Sequence, residues 1–375
     1  MKYLYKLLGA LVKLTFIITI IAIIFFLFDS TKPFHHGKRS DHFDGKKFHN
    51  YNPSEGTFTL SDIGKWQFYE FRDDIKKLWP EFLDDFIYNK ESIEATVPNG
   101  NIKITFVNHA TFLIQVNNVN ILTDPLFAKR VSPVNWVGPK RYRNPGIKLE
   151  DLPRIDYIVI SHDHYDHCDI KAIRTLQEKF GSKVIAGLGM KNFLKAFDVA
   201  CHELDWWEKI EDKDNLVAIN FVPAIHWSGR YGLLGNNRTL WGGVVISTSA
   251  GNIYFSGDTA FGSGNIFQMI KDRFTNFEYA ILPIGAYEPR WFMKVHHINP
   301  DEAVEIHKIL KPNQSIAAHF GCLALSMEGE GRPEEDLMSA LRRNQIPTAK
   351  FLILKHGESS RHVNALFSFS KNSRE

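Results

Sequence analysis

Four side chains of metal-ligand type directly follow an apolar segment, and no other feature constrains the chain as strongly. The segment at 155–161 reads IDYIVIS and predicts a buried strand, and the next residues place His162, His164, Asp166 and His167 within six positions. Imidazole and carboxylate are ligands that zinc takes in proteins, and a loop after a strand can turn all four inward. One catalytic zinc ion needs only three protein ligands, so the motif indicates two neighbouring ions. A solvated histidine-rich loop is the alternative.

Three later predicted strands end in residues of the same kind. His226 follows the strand at 216–223, Asp258 follows the one at 252–257, and His319 ends a short apolar run. Taken alone, each is compatible with a buried structural histidine or with an acidic turn residue. Together they indicate one site, because metal and substrate sites favour the carboxyl edge of a sheet.

The body of the chain alternates strand and helix patterns and is of the α/β class. Strands are predicted at 102–107, 111–116, 119–123, 155–161, 183–187, 216–223, 240–248, 252–257, 278–284, 315–319 and 350–354. Helices are predicted at 169–180, 190–198, 265–274, 301–310 and 334–344. Runs of strands that grade into helix–strand alternation predict mixed sheets covered by helices.

The N-terminus carries an apolar span long enough to cross a bilayer. Residues 8–28 contain one charged residue, Lys13, and a transmembrane helix needs about 20 apolar residues. A cleaved signal peptide is the alternative, but no small-x-small cleavage site follows. Lysines flank the span on both sides, so the positive-inside rule gives no orientation. The expected localisation is therefore the membrane, through a single-pass anchor with the catalytic domain on an undetermined side.

Four regions are expected along the chain. They are an anchor at 1–29, a polar tether at 30–58, a helical extension at 59–94 and a catalytic domain at 95–375. The net charge of +3 comes from the first 58 residues, which hold eight basic and four acidic residues, so the remainder has a net charge of −1. A body without positive charge argues against general nucleic-acid binding. Three cysteines cannot form a disulfide framework.

The motif and the three strand-end residues resemble those of the metallo-β-lactamase superfamily. Within it, the chain resembles the N-acylphosphatidylethanolamine-hydrolysing phospholipase D group over roughly residues 95–360. The segments that carry this second resemblance are NHAT at 108–111, LTDPLF at 122–127, GPKRY at 138–142, ELDWW at 203–207, PIGAYEPRWFM at 283–293 and LKHGES at 354–359. The chain departs from the group at Asn108, where glycine is usual, and in its N-terminal apolar span.

The resemblance implies an αββα sandwich and a cofactor of two Zn²⁺ ions. By position, the first ion would be held by His162, His164 and His226. The second would be held by Asp166, His167 and His319, and Asp258 would bridge the two. A hydroxide shared by the ions would attack the substrate, since zinc lowers the pKa of bound water towards about 7.

The resemblance also implies roles for residues outside the ligand set. His297 matches a position near the substrate and is expected either to place the phosphate or to protonate the leaving group, with a structural role as the alternative. Asp166 is the other residue expected to be catalytic. His109 is a similar candidate for substrate binding. Further substrate-binding candidates are Tyr287, Arg290 and Trp291. For Arg290 an internal ion pair with an acid such as Glu288 is the alternative, and for Trp291 core packing.

The function implied is that of a membrane-anchored zinc phosphodiesterase that converts N-acylated phosphatidylethanolamines to phosphatidic acid and N-acylethanolamines. The first alternative is hydrolysis of another bond, in a lactone or a β-lactam, on the same fold. The second is a non-enzymatic metal-binding membrane protein. Expected partners are a phospholipid substrate and the membrane, with a second copy of the chain as an open alternative. The basic residues between 129 and 143 predict either a surface for anionic lipid headgroups or a solvated loop.

Overall fold

The computed structural model describes residues 32–363 with gaps. The gaps are at 53–54, 57–58, 60, 63, 66–78, 81, 83–92, 135, 213, 215 and 231–235. No helix among the described residues is long and apolar enough to cross a membrane. The predicted anchor at 8–28 lies outside this part of the chain, as does most of the predicted helical extension at 59–94.

Two seven-stranded sheets form the body. In the first sheet the strand order is β14-β1-β2-β3-β4-β5-β6. Its strands are β1 (Asn101–Asn108), β2 (Thr111–Val116), β3 (Val119–Thr123), β4 (Tyr157–Ile160), β5 (Lys183–Gly187), β6 (Cys201–Leu204) and β14 (Ser359–Val363). Strands β1 to β3 and β14 pair antiparallel, whereas β3 to β6 pair parallel.

The second sheet has the order β13-β12-β11-β10-β9-β8-β7. Its strands are β7 (Lys209–Glu211), β8 (Val217–Val222), β9 (Gly243–Thr248), β10 (Gly251–Phe255), β11 (Phe277–Pro283), β12 (Gln314–Ala318) and β13 (Phe351–Leu352). Strands β10 to β13 pair parallel and β7 to β10 pair antiparallel. Both sheets are mixed, which confirms the α/β class with two sheets.

Helices cover the outer faces of the sheets. They are α1 (Ile170–Phe180), α2 (Met190–Lys195), α3 (Asn265–Arg273), α4 (Arg290–Met293), α5 (Pro300–Leu310) and α6 (Arg332–Arg343). Asp169 caps the start of helix α1, and its carboxylate accepts a hydrogen bond from the backbone N–H of Ala172. Helix α5 begins with a capping box between Asn299 and Glu302. Such caps satisfy the first N–H groups of a helix and fix where it begins.

Alternation along the strands explains the layers. In β4, Tyr157 and Val159 belong to the core between the sheets, whereas Ile158 and Ile160 pack in a second apolar cluster with α1 and α2. Successive side chains of a strand point to opposite faces, so a strand covered on both faces must be apolar throughout. All four residues are buried, and the carboxyl end of this strand leads directly into the histidine motif.

The prediction of a polar tether at 30–58 needs correction over its described part. Phe43 and Phe48 are buried in the main core, and the Phe48 N–H donates to the Asn237 carbonyl at 2.8 Å. The His42 ring lies 2.7 Å from an Asp205 carboxylate oxygen. Residues 32–52, here called the N-terminal strap, therefore pack on the domain. The sequence pattern missed this because two isolated phenylalanines among polar residues show no periodicity.

Candidate metal centre

The seven predicted ligands lie together at one edge of the sandwich. His162 follows β4, His226 follows β8, Asp258 follows β10 and His319 follows β12, so four strands deliver side chains to the same place. The remaining three ligands come from the loop between β4 and α1. Within the described residues, their nitrogen and carboxylate atoms form overlapping groups whose members lie within 4.8 Å of one another.

The first group consists of three imidazoles. His162 Nε2 lies 2.8 Å from His164 Nδ1, and His226 Nε2 lies 3.4 Å from the same atom. His162 and His226 are each 1% exposed. Three ring nitrogens therefore face one small space.

Hydrogen bonds to the Nδ1 atoms of His162 and His226 determine whether the Nε2 atoms of these rings carry a proton or a lone pair. Ser161 Oγ donates to Asp124 at 2.6 Å, so it accepts from His162 Nδ1 at 2.8 Å. His226 Nδ1 donates to the His296 carbonyl at 3.0 Å. In the neutral imidazole the second nitrogen then carries a lone pair. Both Nε2 lone pairs point towards His164, an arrangement that suits a cation.

The second group combines a carboxylate with imidazoles. Asp166 Oδ2 lies 3.0 Å from His109 Nε2, 3.3 Å from His167 Nε2 and 3.5 Å from His319 Nε2. The rings of His109 and His319 have centroids 3.9 Å apart. His109, predicted as a substrate contact, thus lies against the candidate ligand Asp166, where it orients that carboxylate.

Asp258 lies between the two groups. Its Oδ2 atom is 3.2 Å from His167 Nε2 and 3.3 Å from His319 Nε2, both in the second group. The same oxygen is 3.8 Å from His226 Nε2 in the first group. One carboxylate thus faces ligands of both groups, which is the position that a bridging ligand requires.

Asp124 fixes the orientation of the motif. It is fully buried after β3, and it accepts hydrogen bonds from the Ser161 N–H at 2.7 Å and from His167 Nδ1 at 2.7 Å. Since His167 Nδ1 is occupied, its Nε2 is directed at Asp166 and Asp258. A carboxylate that holds the outer nitrogen of a ligating histidine is a recurring feature of metal sites.

The charges of the site are strongly coupled. Burial lowers the pKa of His167, but the carboxylates of Asp258 and Asp166 outweigh this effect and raise it well above its ordinary value. Burial also lowers the pKa of His319, but the Asp258 carboxylate outweighs this effect and raises the pKa to about 9. Burial alone dominates at His164, whose pKa falls to about 3. The carboxylates thus favour positive charge in the second group, and a metal ion would supply it.

The buried polar atoms fit a bound metal. Among the described residues, His167 Nε2, His319 Nε2 and Asp258 Oδ1 are buried without a hydrogen-bond partner. Leaving such groups unpaired costs about 1–3 kcal/mol each, and native structures contain few of them. Their convergence on one space fits ligands that bind an ion. Imidazole with carboxylate is a donor set for zinc and for other borderline divalent metals.

His297 and Arg290 lie next to the centre but in different roles. His297 Nδ1 is 3.8 Å from Asp258 Oδ2, and burial lowers the pKa of His297 to about 4. The Arg290 guanidinium donates to the His297 carbonyl at 3.0 Å and to Glu302 at 2.8 Å. Of the two alternatives for Arg290, the internal ion pair is the one present, although its partner is Glu302. Arg290 holds the backbone that carries His297.

The other two substrate-contact candidates face elsewhere. Tyr287 is 3% exposed, and its hydroxyl donates to Asp336 in α6 at 2.6 Å. This bond ties α6 to the loop that follows β11. Trp291 is 43% exposed, with the Lys65 ammonium 4.5 Å above its ring. The core-packing alternative for Trp291 is thus wrong, and its contact with substrate stays a prediction.

Sequence reasoning missed the residues that support the first group from a distance. Asn50 of the N-terminal strap accepts from the His226 N–H at 3.2 Å and donates to its carbonyl at 3.1 Å. Arg230 donates to the backbone carbonyls of Asp163, His164 and Cys168 and so clamps the motif loop. Neither residue belongs to a recognisable pattern, and Asn50 is 176 residues away from His226.

Comparisons with known proteins agree with this geometry. The family model described as beta-lactamase superfamily domain matches residues 119–320, which include every candidate ligand. A metallo hydrolase from the archaeon Ignicoccus hospitalis superposes with a TM-score of 0.53 at 19% identity, covering 70% of this chain and 99% of that one. At that identity the likeness concerns the fold.

Two curated relatives are more similar in sequence. The N-acyl-phosphatidylethanolamine-hydrolyzing phospholipase D 1 of Caenorhabditis elegans is 37% identical over 292 residues, which are 72% of this chain and 82% of the relative. The mitochondrial protein with the same activity in its name from Saccharomyces cerevisiae is 36% identical over 228 residues, 59% of this chain and 48% of the relative.

Proposed function

Because this chain belongs to the metallo-β-lactamase superfamily, in its N-acylphosphatidylethanolamine-hydrolysing phospholipase D-like group, we propose that it is a zinc-dependent phosphodiesterase of N-acylated phosphatidylethanolamines. The hydrolase class follows from the family, and the histidine and aspartate clusters indicate metal dependence. We propose zinc as the metal, two ions as their number and an N-acylated phosphatidylethanolamine as the substrate.

The position of Asp258 is the observation that carries the two-ion proposal. Its Oδ2 atom faces His167 and His319 on one side and His226 on the other, at 3.2–3.8 Å. We assign His162, His164 and His226 to one ion, Asp166, His167 and His319 to the other, and Asp258 to both. Paired divalent ions supply a nucleophilic hydroxide at neutral pH and stabilise charge on the attacking and leaving oxygens of a phosphoryl group.

The chain's own residues would organise the rest of the reaction. Asp124 and His109 hold His167 and Asp166 in place, while Arg290 fixes the backbone of His297. We assign His297 a hydrogen bond to a phosphate oxygen of the substrate, since its Nδ1 atom is among the buried nitrogens of the described residues that have no hydrogen-bond partner. Water adds to phosphorus, and the bond between phosphorus and the ethanolamide oxygen breaks. The proton that the attacking water gives up ends on the leaving oxygen, which yields phosphatidic acid and an N-acylethanolamine.

We assign the segment at 8–28 a membrane-anchoring role. The substrate proposed here is a bilayer lipid, and attachment to a membrane raises its effective concentration at the enzyme. A relative named as mitochondrial is compatible with action at an internal membrane.

Product analysis tests the reaction. Purified full-length protein in detergent, supplied with Zn²⁺ and a long-chain N-acylphosphatidylethanolamine, should release equal amounts of phosphatidic acid and N-acylethanolamine, as read by mass spectrometry. Asp258→Ala should abolish the release, whereas His202→Ala, which removes an exposed histidine of β6, should not change it. Release of free fatty acid, or turnover of a lactone without turnover of the lipid, would show that the bond assigned here is wrong.

A further inference from the structure

The loop at 129–143 holds apolar side chains in water. Trp136 is 75% exposed, Val137 49% and Val134 36%. These are three of the seven large apolar side chains that are exposed in the described part of the chain, and they fall within four positions. Single exposed apolar residues are ordinary, but a cluster that contains tryptophan marks an interaction surface.

Hydrogen bonds join the two arms of this loop at its base. The Val131 N–H donates to the Pro139 carbonyl at 3.0 Å, and the Arg141 N–H donates to the Lys129 carbonyl at 2.9 Å. Arg130 Nη1 also donates to the Gly138 carbonyl at 2.5 Å. The two arms of the loop are thus joined below the tip, so the exposure of Trp136 is a feature of the fold.

The base of the loop lies beside the metal centre. Tyr142 N–H donates to the Cys322 carbonyl at 2.9 Å, three residues after the ligand His319. Val131 shares an apolar cluster with Leu323, against which Tyr165 of the histidine motif packs. The tip is therefore carried on the same edge of the sandwich as the candidate ligands.

The charge around the tip is positive. No acidic residue occurs from 129 to 143, which contains five basic residues. Arg141 and Arg143 are engaged with backbone carbonyls and, for Arg143, with Glu330. Lys129 is exposed at the base. Tryptophan and valine at a tip with cations behind them match the layers of a bilayer surface, in which acyl chains lie below anionic headgroups.

From these observations we infer that the loop at 129–143 is a membrane-docking element, which inserts Trp136, Val134 and Val137 into the interfacial layer of a bilayer that contains anionic phospholipid. The inference rests on the proposed function in one respect, since a lipid substrate requires the metal-bearing edge to face a membrane. It adds a second attachment point. An N-terminal anchor brings the domain to the bilayer, whereas this loop sets which edge faces it.

Depth measurement in full-length protein tests the inference. The three native cysteines are buried, so Trp136→Cys introduces an accessible thiol that can carry an environment-sensitive fluorophore. Val363→Cys is the matched control, because Val363 is 52% exposed and pairs with Asn101 at the opposite end of β1 from the metal centre. Both labelled proteins are reconstituted in vesicles of phosphatidylcholine with phosphatidylserine.

Quenching by lipids that carry a spin label in the acyl chain should be at least about threefold stronger at position 136 than at 363, because an interfacial side chain lies within reach of the acyl chains. Replacing phosphatidylserine by phosphatidylcholine should reduce the difference. Equal quenching at the two positions would overturn the inference. So would a label at 136 that responds to protein concentration instead of lipid, since it would indicate contact between copies of the chain.

Activity measurements separate this inference from the proposed function. Trp136→Asp should lower turnover of N-acylphosphatidylethanolamine in vesicles by about tenfold through weaker docking, with turnover in detergent micelles within about twofold of the parent. An equal loss in both would overturn the docking role. If the parent hydrolyses this lipid in neither form while the label at 136 is still quenched, the proposed function fails and the docking element stands.

Discussion

The two ligand groups of the metal centre differ in what holds them. The first group, His162, His164 and His226, contains only imidazoles. Its outer contacts are the His296 carbonyl, Asn50 of the N-terminal strap and Ser161 Oγ, which in turn donates to Asp124. The second group is built around Asp166, and its outer contacts are the buried side chains of Asp124 and His109. The first group is therefore supported in part by distant segments of the chain, and the second by residues that directly follow β1 and β3.

The two groups thus differ in their charge and in how far along the chain their supporting residues lie. The carboxylates of the second group raise the pKa values of its histidines, whereas burial lowers the pKa of His162 in the first group well below its ordinary value. The second group should therefore hold its ion more tightly, because its ligands carry negative charge and are fixed by carboxylates. The first group should depend on the strap. Variants that act on one half, or on both, test the comparison.

Asp258→Ala should have the largest effect, since this carboxylate faces both groups. Activity is expected to fall at least about a thousandfold, because metal stabilisation of the transition state is worth several kcal/mol and each 1.4 kcal/mol is tenfold. The rate is measured on micellar lipid, and circular dichroism checks the fold. If the variant keeps a tenth of the parent activity, Asp258 does not have the bridging role assigned to it.

Asp124→Ala should act mainly on the second group, because Asp124 bonds His167 directly and reaches His162 of the first group only through Ser161. The loss of the bond from His167 Nδ1 frees that ring to turn, and removal of an outer partner typically weakens metal affinity about 10–100-fold. Competition with a chelator, read separately for each ion, measures the change. Because Asp124 also holds Ser161, Asp124→Asn serves as the variant that keeps the packing. Equal loss from both groups would contradict the separation of the two halves.

Asn50→Ala should weaken the first group, by a smaller factor of about tenfold, because it releases the His226 backbone but leaves the His226 bond to the His296 carbonyl. The same chelator titration measures it. Asn52→Ala, a change in the strap two positions further on, serves as the control for general loosening of the strap. If Asn50→Ala lowers occupancy of the second ion first, the strap does not support the half assigned to it.

The smallest effect concerns the strap and pH. Burial lowers the pKa of His42, but the Asp205 and Asp41 carboxylates outweigh it and raise the pKa above 6.5. The protonated ring therefore stabilises the fold below about pH 6.5, and this contribution is lost as the pH rises through the higher folded pKa. His42→Gln should cost up to about 1 kcal/mol more at pH 5.5 than at pH 9. Chemical unfolding at the two pH values measures the difference, and an equal cost at both would contradict the charge-based account.

The sequence predicted the parts of the fold and site that are local. The histidine motif follows a strand of four buried apolar residues, and such a pattern needs no knowledge of tertiary contacts. The central strands and five of the helices were predicted within a few residues for the same reason. The edge strands β6, β7 and β14 were not predicted. They are short and each contains exposed or half-exposed positions, so their pairing depends on the neighbouring strand.

The contacts between distant segments that support the site could not be predicted from the sequence pattern. The burial of Phe48, the bond of Asn50 to His226 and the ion pair of Arg290 with Glu302 each depend on where other segments pack. Asn50 stands among polar residues typical of a linker, which led to the prediction of a tether. A polar side chain that satisfies a buried backbone group shows no hydrophobic signal, so only the structure could identify it.

Anomalous diffraction from crystals of the zinc-loaded protein tests the two-ion centre most directly. Data collected on both sides of the zinc absorption edge should show two peaks. One should lie among His162, His164 and His226, the other among Asp166, His167 and His319, with the Asp258 carboxylate in contact with both. A single peak, or a second peak away from Asp258, would contradict the account.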